Sequence, residues 1–142
     1  MRVLVDTSVW SLALRRRDAD LAARERRLRD GLAELIRDDR VAMIGPVRQE
    51  LLSGVRIAAA FERLQGRLRA FDDEPLVTAD YEEAARAHNR CRRAGIAGSA
   101  VDFLLCAAAL RRGFAIFTTD RDFERYARLL PIHIHRPDPG GG

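Results

Sequence analysis

The feature that most limits how this chain can fold is the short apolar run Val3, Leu4, Val5, closed at once by Asp6, Thr7 and Ser8. Consecutive apolar residues rich in valine and leucine fit a strand buried on both faces, as in a parallel sheet covered by helices. Similar short runs recur at Val41 to Ile44, Leu76 to Thr78, Phe114 to Phe117 and Ile132 to His135, separated by longer segments with helical apolar spacing. Strands alternating with helices imply βαβ units. The expected fold is therefore α/β, with a central parallel sheet of about five strands flanked by helices on both faces.

The helical segments carry their own signals. Leu21, Leu28, Leu32, Leu35 and Ile36 recur at helical spacing, with Arg24, Arg26, Arg27 and Arg29 facing elsewhere, so this helix is amphipathic with a basic side. That side suits solvent, and it also suits RNA or a protein partner. Gly45 and Pro46 close the second strand and open a helix carrying Glu50, which Gly54 ends or kinks. A helix from Ile57 to Phe71 places Phe61, Leu64, Leu68 and Phe71 on one face, and one from Asp80 to Arg93 turns Tyr81, Ala84, Ala85 and His88 inward. His88 has no second histidine at a metal-binding interval and reads as an ordinary helix residue. From Ser99 to Leu110 the chain is so apolar that it must form a central buried helix, in which Asp102 is the lone charge. His133 and His135 alternate with Ile132 and Ile134, which turns both histidines toward water at a sheet edge.

At 142 residues the chain suits one domain with one core. The domain is expected over 1–135, followed by a Pro/Gly tail over 136–142. No apolar stretch approaches the roughly 20 residues that span a bilayer, so no membrane association is expected and a cytoplasmic protein is the default. Cys91 and Cys106 are too few for a disulfide framework and read as reduced and structural. The formal charge is +4, and all 25 basic residues are arginine. Arginine grips phosphate bidentately and stacks on bases, which is compatible with a nucleic-acid partner. A genome biased toward arginine codons explains the missing lysine equally well.

Four acids fall where such a sheet would open to solvent: Asp6 after the first strand, Glu50 after the second, Asp102 in the first turn of the buried helix and Asp120 after Phe117, with Asp122 as a possible fifth. Each has a structural alternative. Asp6 and Asp120 could cap the helices that follow them, Ser99 and Asp102 have capping-box spacing, and Glu50 could pair with Arg48 or Arg56. Taken together the acids point elsewhere, because two like charges about 4 Å apart repel by roughly 4 kcal/mol at an effective dielectric of 20. A cluster must protonate or bind a cation, and oxygen-only ligation selects a hard divalent ion, Mg²⁺ or Mn²⁺. Such an ion would also let an acidic pocket hold a phosphodiester, activate a water and stabilise the leaving oxygen.

In order, VLVDTSVW, PVRQELLSG, GSAVDFLLCAAAL and FTTDRDFERYA closely resemble the PIN-domain ribonucleases, and specifically the VapC-type toxins of toxin–antitoxin pairs. The resemblance spans Arg2 to about His135. It implies a compact PIN domain, a Mg²⁺-dependent acidic site with Mn²⁺ as a substitute, endonucleolytic cleavage of a structured RNA of the tRNA or rRNA class, frequent homodimers and inhibition by a small cognate antitoxin. Asp6, Glu50, Asp102 and Asp120 match the family's acidic quartet, with Asp6, Asp102 and Asp120 as principal metal ligands and Glu50 ligating a second ion or positioning the attacking water. Thr7 or Ser8 would orient Asp6 or a metal-bound water, Thr118 or Thr119 would support Asp120, and Asp122 matches a commonly acidic position. A phosphotransfer domain with Asp6 as nucleophile is the rival enzyme, but such domains normally use a lysine near the phosphate, and this chain has none. A non-catalytic RNA- or protein-binding module on the PIN fold is the rival of another class.

Overall fold

The computed structural model describes residues 1–137. Its sheet has three parallel strands, β1 (Val3–Val5), β2 (Val41–Ala42) and β3 (Ala115–Phe117), in the order β2-β1-β3. In register, Val3 lies opposite Val41 and Ala115, Leu4 opposite Ala42 and Ile116, and Val5 opposite Phe117. Successive strand side chains point to opposite faces, yet Val3, Leu4 and Val5 are all buried. Both faces of the sheet are therefore covered.

The expected five strands contract to three, with a single bridge at each edge. Met43 bridges Asp73 beside β2, and Ile116 bridges Ile134 beside β3. Leu76 to Thr78 is not a strand. The acidic run Asp72, Asp73, Glu74 followed by Pro75 is poor strand material, and the Val77 N–H turns to the Asp80 carboxylate 2.8 Å away as the next helix starts at Thr78. Ile132 to His135 pairs only through the Ile116 N–H to His133 O bond (2.8 Å) and the His135 N–H to Ile116 O bond (2.7 Å). His133 is exposed as expected, but the His135 ring packs edge-on against Phe117, 5.1 Å between centroids, instead of facing water.

Among the described residues seven α-helices surround the sheet: α1 (Thr7–Leu14), α2 (Ala23–Arg37), α3 (Gly45–Ser53), α4 (Ala58–Leu68), α5 (Thr78–Arg93), α6 (Ala100–Arg112) and α7 (Asp122–Tyr126). The apolar helix is central as expected, with Phe103 through Ala109 all buried on α6. On α2, Leu32 and Leu35 are buried but Ile36 is 42% exposed. On α5 the inward positions are Asp80, Ala84, Ala87 and Cys91. Tyr81 and Ala85 face outward, while His88 is half-buried and stacks on Phe103 with centroids 4.6 Å apart. Trp10 and Phe71 meet edge-on at 5.0 Å, which fixes the turn after α4 against α1. Cys91 and Cys106 are free and buried.

The chain remains packed beyond His135, for a methyl group added at Gly31 of α2 would run into Pro137. The last part of the expected tail, 138–142, lies outside the described residues. No helix among the described residues is long and apolar enough to cross a membrane.

Candidate active site

Because β2 and β3 lie on opposite sides of β1, the strand order reverses at β1, and the crevice beyond its carboxyl end is where open α/β sheets take ligands. Asp6 occupies that position. Its N–H extends the ladder to Phe117 O (2.8 Å), and its carbonyl starts α1 by accepting from Val9 and Trp10. Although Asp6 is the N-cap residue of α1, its side chain makes no capping bond. Instead one carboxylate oxygen, Oδ2, accepts from the Ser8 hydroxyl (2.7 Å) and from the Thr118 hydroxyl (2.9 Å). The other oxygen, Oδ1, has no hydrogen-bond donor among the described residues, and the residue is only 9% exposed. The capping alternative thus fails for Asp6.

The loop after β3 is tied to the same point. Ser8 Oγ accepts the Thr119 N–H (3.0 Å), Thr118 Oγ1 accepts the Asp120 N–H (3.0 Å), and Asp120 Oδ1 accepts the Asp122 N–H (2.9 Å). Asp120 therefore does cap the start of α7, with one oxygen only. Thr118 supports both acids through its hydroxyl, whereas Thr119 contributes its backbone. The Asp122 carboxylate is taken up by Arg125 one turn on.

Glu50 reaches the site from α3, where its Oε2 accepts from the Thr7 hydroxyl at 3.0 Å. Arg48 does not pair with it. That guanidinium binds Asp73 and the carbonyls of Leu68 and Phe71. The C-terminal end of α3 is held by Arg15, which donates to the carbonyl of Leu51. Asp102 is half of a capping box: its N–H donates to Ser99 Oγ at 3.1 Å, while its carboxylate turns away to accept the Tyr126 hydroxyl at 2.7 Å.

Tyr126 is the residue that the sequence reading missed. It is fully buried, it belongs to the FERYA segment, and it links α7 to α6 through Asp102. The signal was a tyrosine in an otherwise apolar position, since a buried phenol needs a polar partner. Gly98 is equally constrained, because a Cβ there would run into the Tyr126 hydroxyl and come within 2.8 Å of the Phe103 ring. Gly98→Ala is expected to lower stability by about 1–3 kcal/mol through overpacking, read as a lower urea midpoint, and to slow any reaction that needs Asp102 in place.

The electrostatics of this end of the sheet are unusual for an arginine-rich chain. Among the described residues, no ion pair includes Asp6, Glu50, Asp102 or Asp120. Their negative charge is felt by neighbours. Burial first, then the hydrogen bond and charge of Asp102 and the charges of Asp122 and Asp120, hold the Tyr126 hydroxyl protonated well above the ordinary tyrosine range. Burial also pushes the Cys106 thiol up, helped by Asp102, Cys91 and Asp6. Both groups have folded-state pKa values above their unfolded ones, so their contribution to stability is complete below the unfolded values and is lost as pH rises. Melting temperature is expected to fall above about pH 8.5, and more steeply above about pH 10. Circular dichroism melts across this range check it, and Tyr126→Phe should flatten the steeper part.

Among the described residues, no three Asp, Glu, His or Cys side chains stand close enough to enclose a metal ion by themselves. Mg²⁺ keeps several of its waters and is usually held by one or two carboxylates together with substrate phosphates, so it does not require a cage of three carboxylates. The available donors are hard oxygens, as such an ion requires. The neighbouring sulfur, Cys106, stays a protonated thiol.

The PIN domain family model matches residues 3–129. The chain belongs to the PIN-domain family. Among curated relatives of this PIN domain are VapC ribonuclease Mb1587 from Mycobacterium bovis and ribonuclease VapC11 from Mycobacterium tuberculosis, each 32% identical over 134 residues, covering 92% of this chain and 95% of the relative. Solved structures share the PIN fold. FitAcB from Neisseria gonorrhoeae superposes with a TM-score of 0.75 at 21% identity, covering 95% of this chain and 97% of the other. VapBC2 from Rickettsia felis, bound to a fragment of its promoter DNA, gives 0.74 at 14% identity, covering 97% and 100%.

Proposed function

We propose that this PIN-domain protein is a divalent-metal-dependent endoribonuclease, acting as the toxin of a toxin–antitoxin pair and cutting a structured RNA of the tRNA or rRNA class. The observation that carries the proposal is that, among the described residues, Asp6, Glu50, Asp102 and Asp120 at the sheet's carboxyl end have no arginine partner in a chain of 25 arginines. Elsewhere the chain neutralises its buried acid from within, as Arg111 and Arg112 do for Asp80. The missing positive charge at Asp6 is then supplied by Mg²⁺ or Mn²⁺. The VapC ribonucleases that resemble the chain over nearly its whole length support the RNA substrate.

In this reading one or two of Asp6, Asp102 and Asp120 would hold the ion directly and the rest would reach it through its waters, each offering an oxygen not engaged by the bonds described above. When bound, the ion lowers the pKa of a water and offsets the charge of the phosphate. Ser8 and Thr118 fix the orientation of Asp6, and Tyr126 fixes that of Asp102. Thr7 holds one oxygen of exposed Glu50, leaving Oε1 to position the attacking water and accept its proton. The bond from phosphorus to the sugar oxygen would break as the bond to the water oxygen forms, and the departing sugar oxygen would take its proton from solvent. A cognate antitoxin inhibitor, a homodimer and a cytoplasmic location complete the proposal.

Incubating total bacterial RNA with the purified protein in Mg²⁺, in Mn²⁺ and in EDTA tests it. Discrete cleavage products with either metal and none in EDTA are expected. Intact RNA in every condition would overturn the enzyme reading in favour of a non-catalytic binding module.

A further inference from the structure

A second feature adjoins the acidic site. Thr118, Thr119 and Asp120 line a cavity of about 240 Å³ together with four arginines, Arg24 and Arg27 of α2, Arg121 at the start of α7, and Arg136, against one further acid, Glu124. Arg24 and Arg27 are three residues apart on one helix face, so they are neighbours about 5–6 Å apart at Cβ. Their surroundings differ from those of other arginines nearby. Arg29 of the same helix pairs with Asp18 and Asp30, and Arg16 pairs with Glu25. Arg24, Arg27 and Arg121 are exposed and have no carboxylate partner among the described residues. Arg136 has a long pairing to Glu124 at 3.9 Å, with both side chains largely in water, a geometry of small energetic value.

We infer that this groove is the seat of the RNA strand flanking the cleaved bond, with Arg24 and Arg27 gripping adjacent phosphates and Arg121 and Arg136 closing the opposite side. The inference rests on the reading of the acidic site as a ribonuclease centre, and it names where the polyanion lies. An acidic pocket repels a phosphate backbone, and association must be driven from beside it. Arginine does so bidentately at each phosphate. Continuity with Asp120 favours RNA over an acidic protein segment, because a strand whose scissile phosphate lies near Asp6 and Asp120 has this groove directly beside it. Leu28 and Ile134 line it, giving apolar surface against which a base can rest. The basic side of α2 is in this view a substrate-binding face.

Phosphate contacts are independent of sequence, so the probe is a fluorescein-labelled pool of random RNA, about 20 nucleotides long. Binding is measured by anisotropy in EDTA over a range of salt, using Asp6→Asn protein so that no cleavage intrudes. Each single-strand phosphate contact contributes about 0.7 to the slope of log K against log salt. Arg24→Gln and Arg27→Gln should each reduce the slope by about 0.7, and the double variant by about 1.4. Arg37→Gln removes the same charge from α2 about 15 Å beyond Arg27 along the helix and should leave the slope unchanged. Equal slopes for all these proteins, or no binding of the pool by the starting protein, overturn the inference. Unchanged RNA slopes accompanied by loss of binding to polyglutamate would make the groove a protein-docking surface and overturn it as well. If the slopes fall as expected but wild-type protein cuts no RNA in Mg²⁺, the groove stands and the ribonuclease reading fails.

Discussion

Asp6→Asn is expected to lower RNA cleavage by more than about 100-fold, beyond the 10–100-fold that follows loss of groups that merely support a metal ligand. The substitution keeps the shape of the side chain. Its amide oxygen can still accept the hydroxyls of Ser8 and Thr118 that now meet Oδ2, so the fold has no reason to change. What disappears is the charge at the reversal point of the sheet, together with the carboxylate character of Oδ1. Initial rates on total RNA in Mg²⁺, set beside thermal melts of both proteins, separate the two effects. A variant that melts like wild type but does not cut is the expected result. One that cuts normally would remove Asp6 from the site.

The largest effect on stability is expected at Asp80, far from the chemistry. This carboxylate is fully buried and fully used. Oδ1 accepts from Arg111 (2.8 Å) and Arg112 (2.7 Å), while Oδ2 accepts from Arg112 (2.9 Å) and from the Val77 N–H (2.8 Å). The bonds tie the start of α5 to the end of α6. Asp80→Ala would leave the half-buried Arg112 guanidinium with only Glu74 at 3.7 Å and the carbonyls of Ala108 and Pro75, and would leave the first turn of α5 uncapped. Removing one partner of a buried pair costs about 3–5 kcal/mol, a large share of the 5–15 kcal/mol by which domains are usually stable. Urea denaturation should show the midpoint falling accordingly, and a loss below about 1 kcal/mol would mean that the pair contributes little. The arginine hydrogen bonds, Arg112 foremost, hold the Asp80 carboxyl well below the ordinary range. Its folded pKa is depressed, so its contribution is present above about pH 4 and is lost only as the pH falls further, toward the folded value. Wild-type protein should therefore lose this contribution only in strong acid, and the variant should show none of that dependence.

Much of the fold could be read from the chain because burial on both faces leaves a plain pattern. Val3 to Val5, the SAVDFLLCAAAL helix and the run ending at Phe117 all behave as their composition demands. The outer strands were misread for a physical reason. Two apolar residues followed by a β-branched one, as in Leu76, Val77 and Thr78, resemble a strand, but Asp80 three residues after Val77 supplies a helix cap, and a cap outweighs a weak strand tendency. At Ile132 to His135 the alternation was real, yet the segment makes one bridge, and His135 leans onto Phe117.

For the site, the acids stood out because each follows a strand or opens a buried helix. Their partners were less visible, since Tyr126 is distant in sequence from Asp102 and its role depends on how α7 lies against α6. The arginines were legible as a basic helix face only. Which of them border Asp120 depends on how α2 packs beside the loop after β3, and no local pattern carries that information.

The central claim is that the carboxylates around Asp6 bind a hard divalent ion whose presence permits cleavage. Titrating Mn²⁺ into the protein while following free Mn²⁺ by electron paramagnetic resonance tests it most directly. Wild type should take up Mn²⁺ over the same concentration range in which RNA cleavage appears, and Asp6→Asn should take up little. Equal uptake by the two proteins, or RNA cleavage that persists in EDTA, would contradict the account.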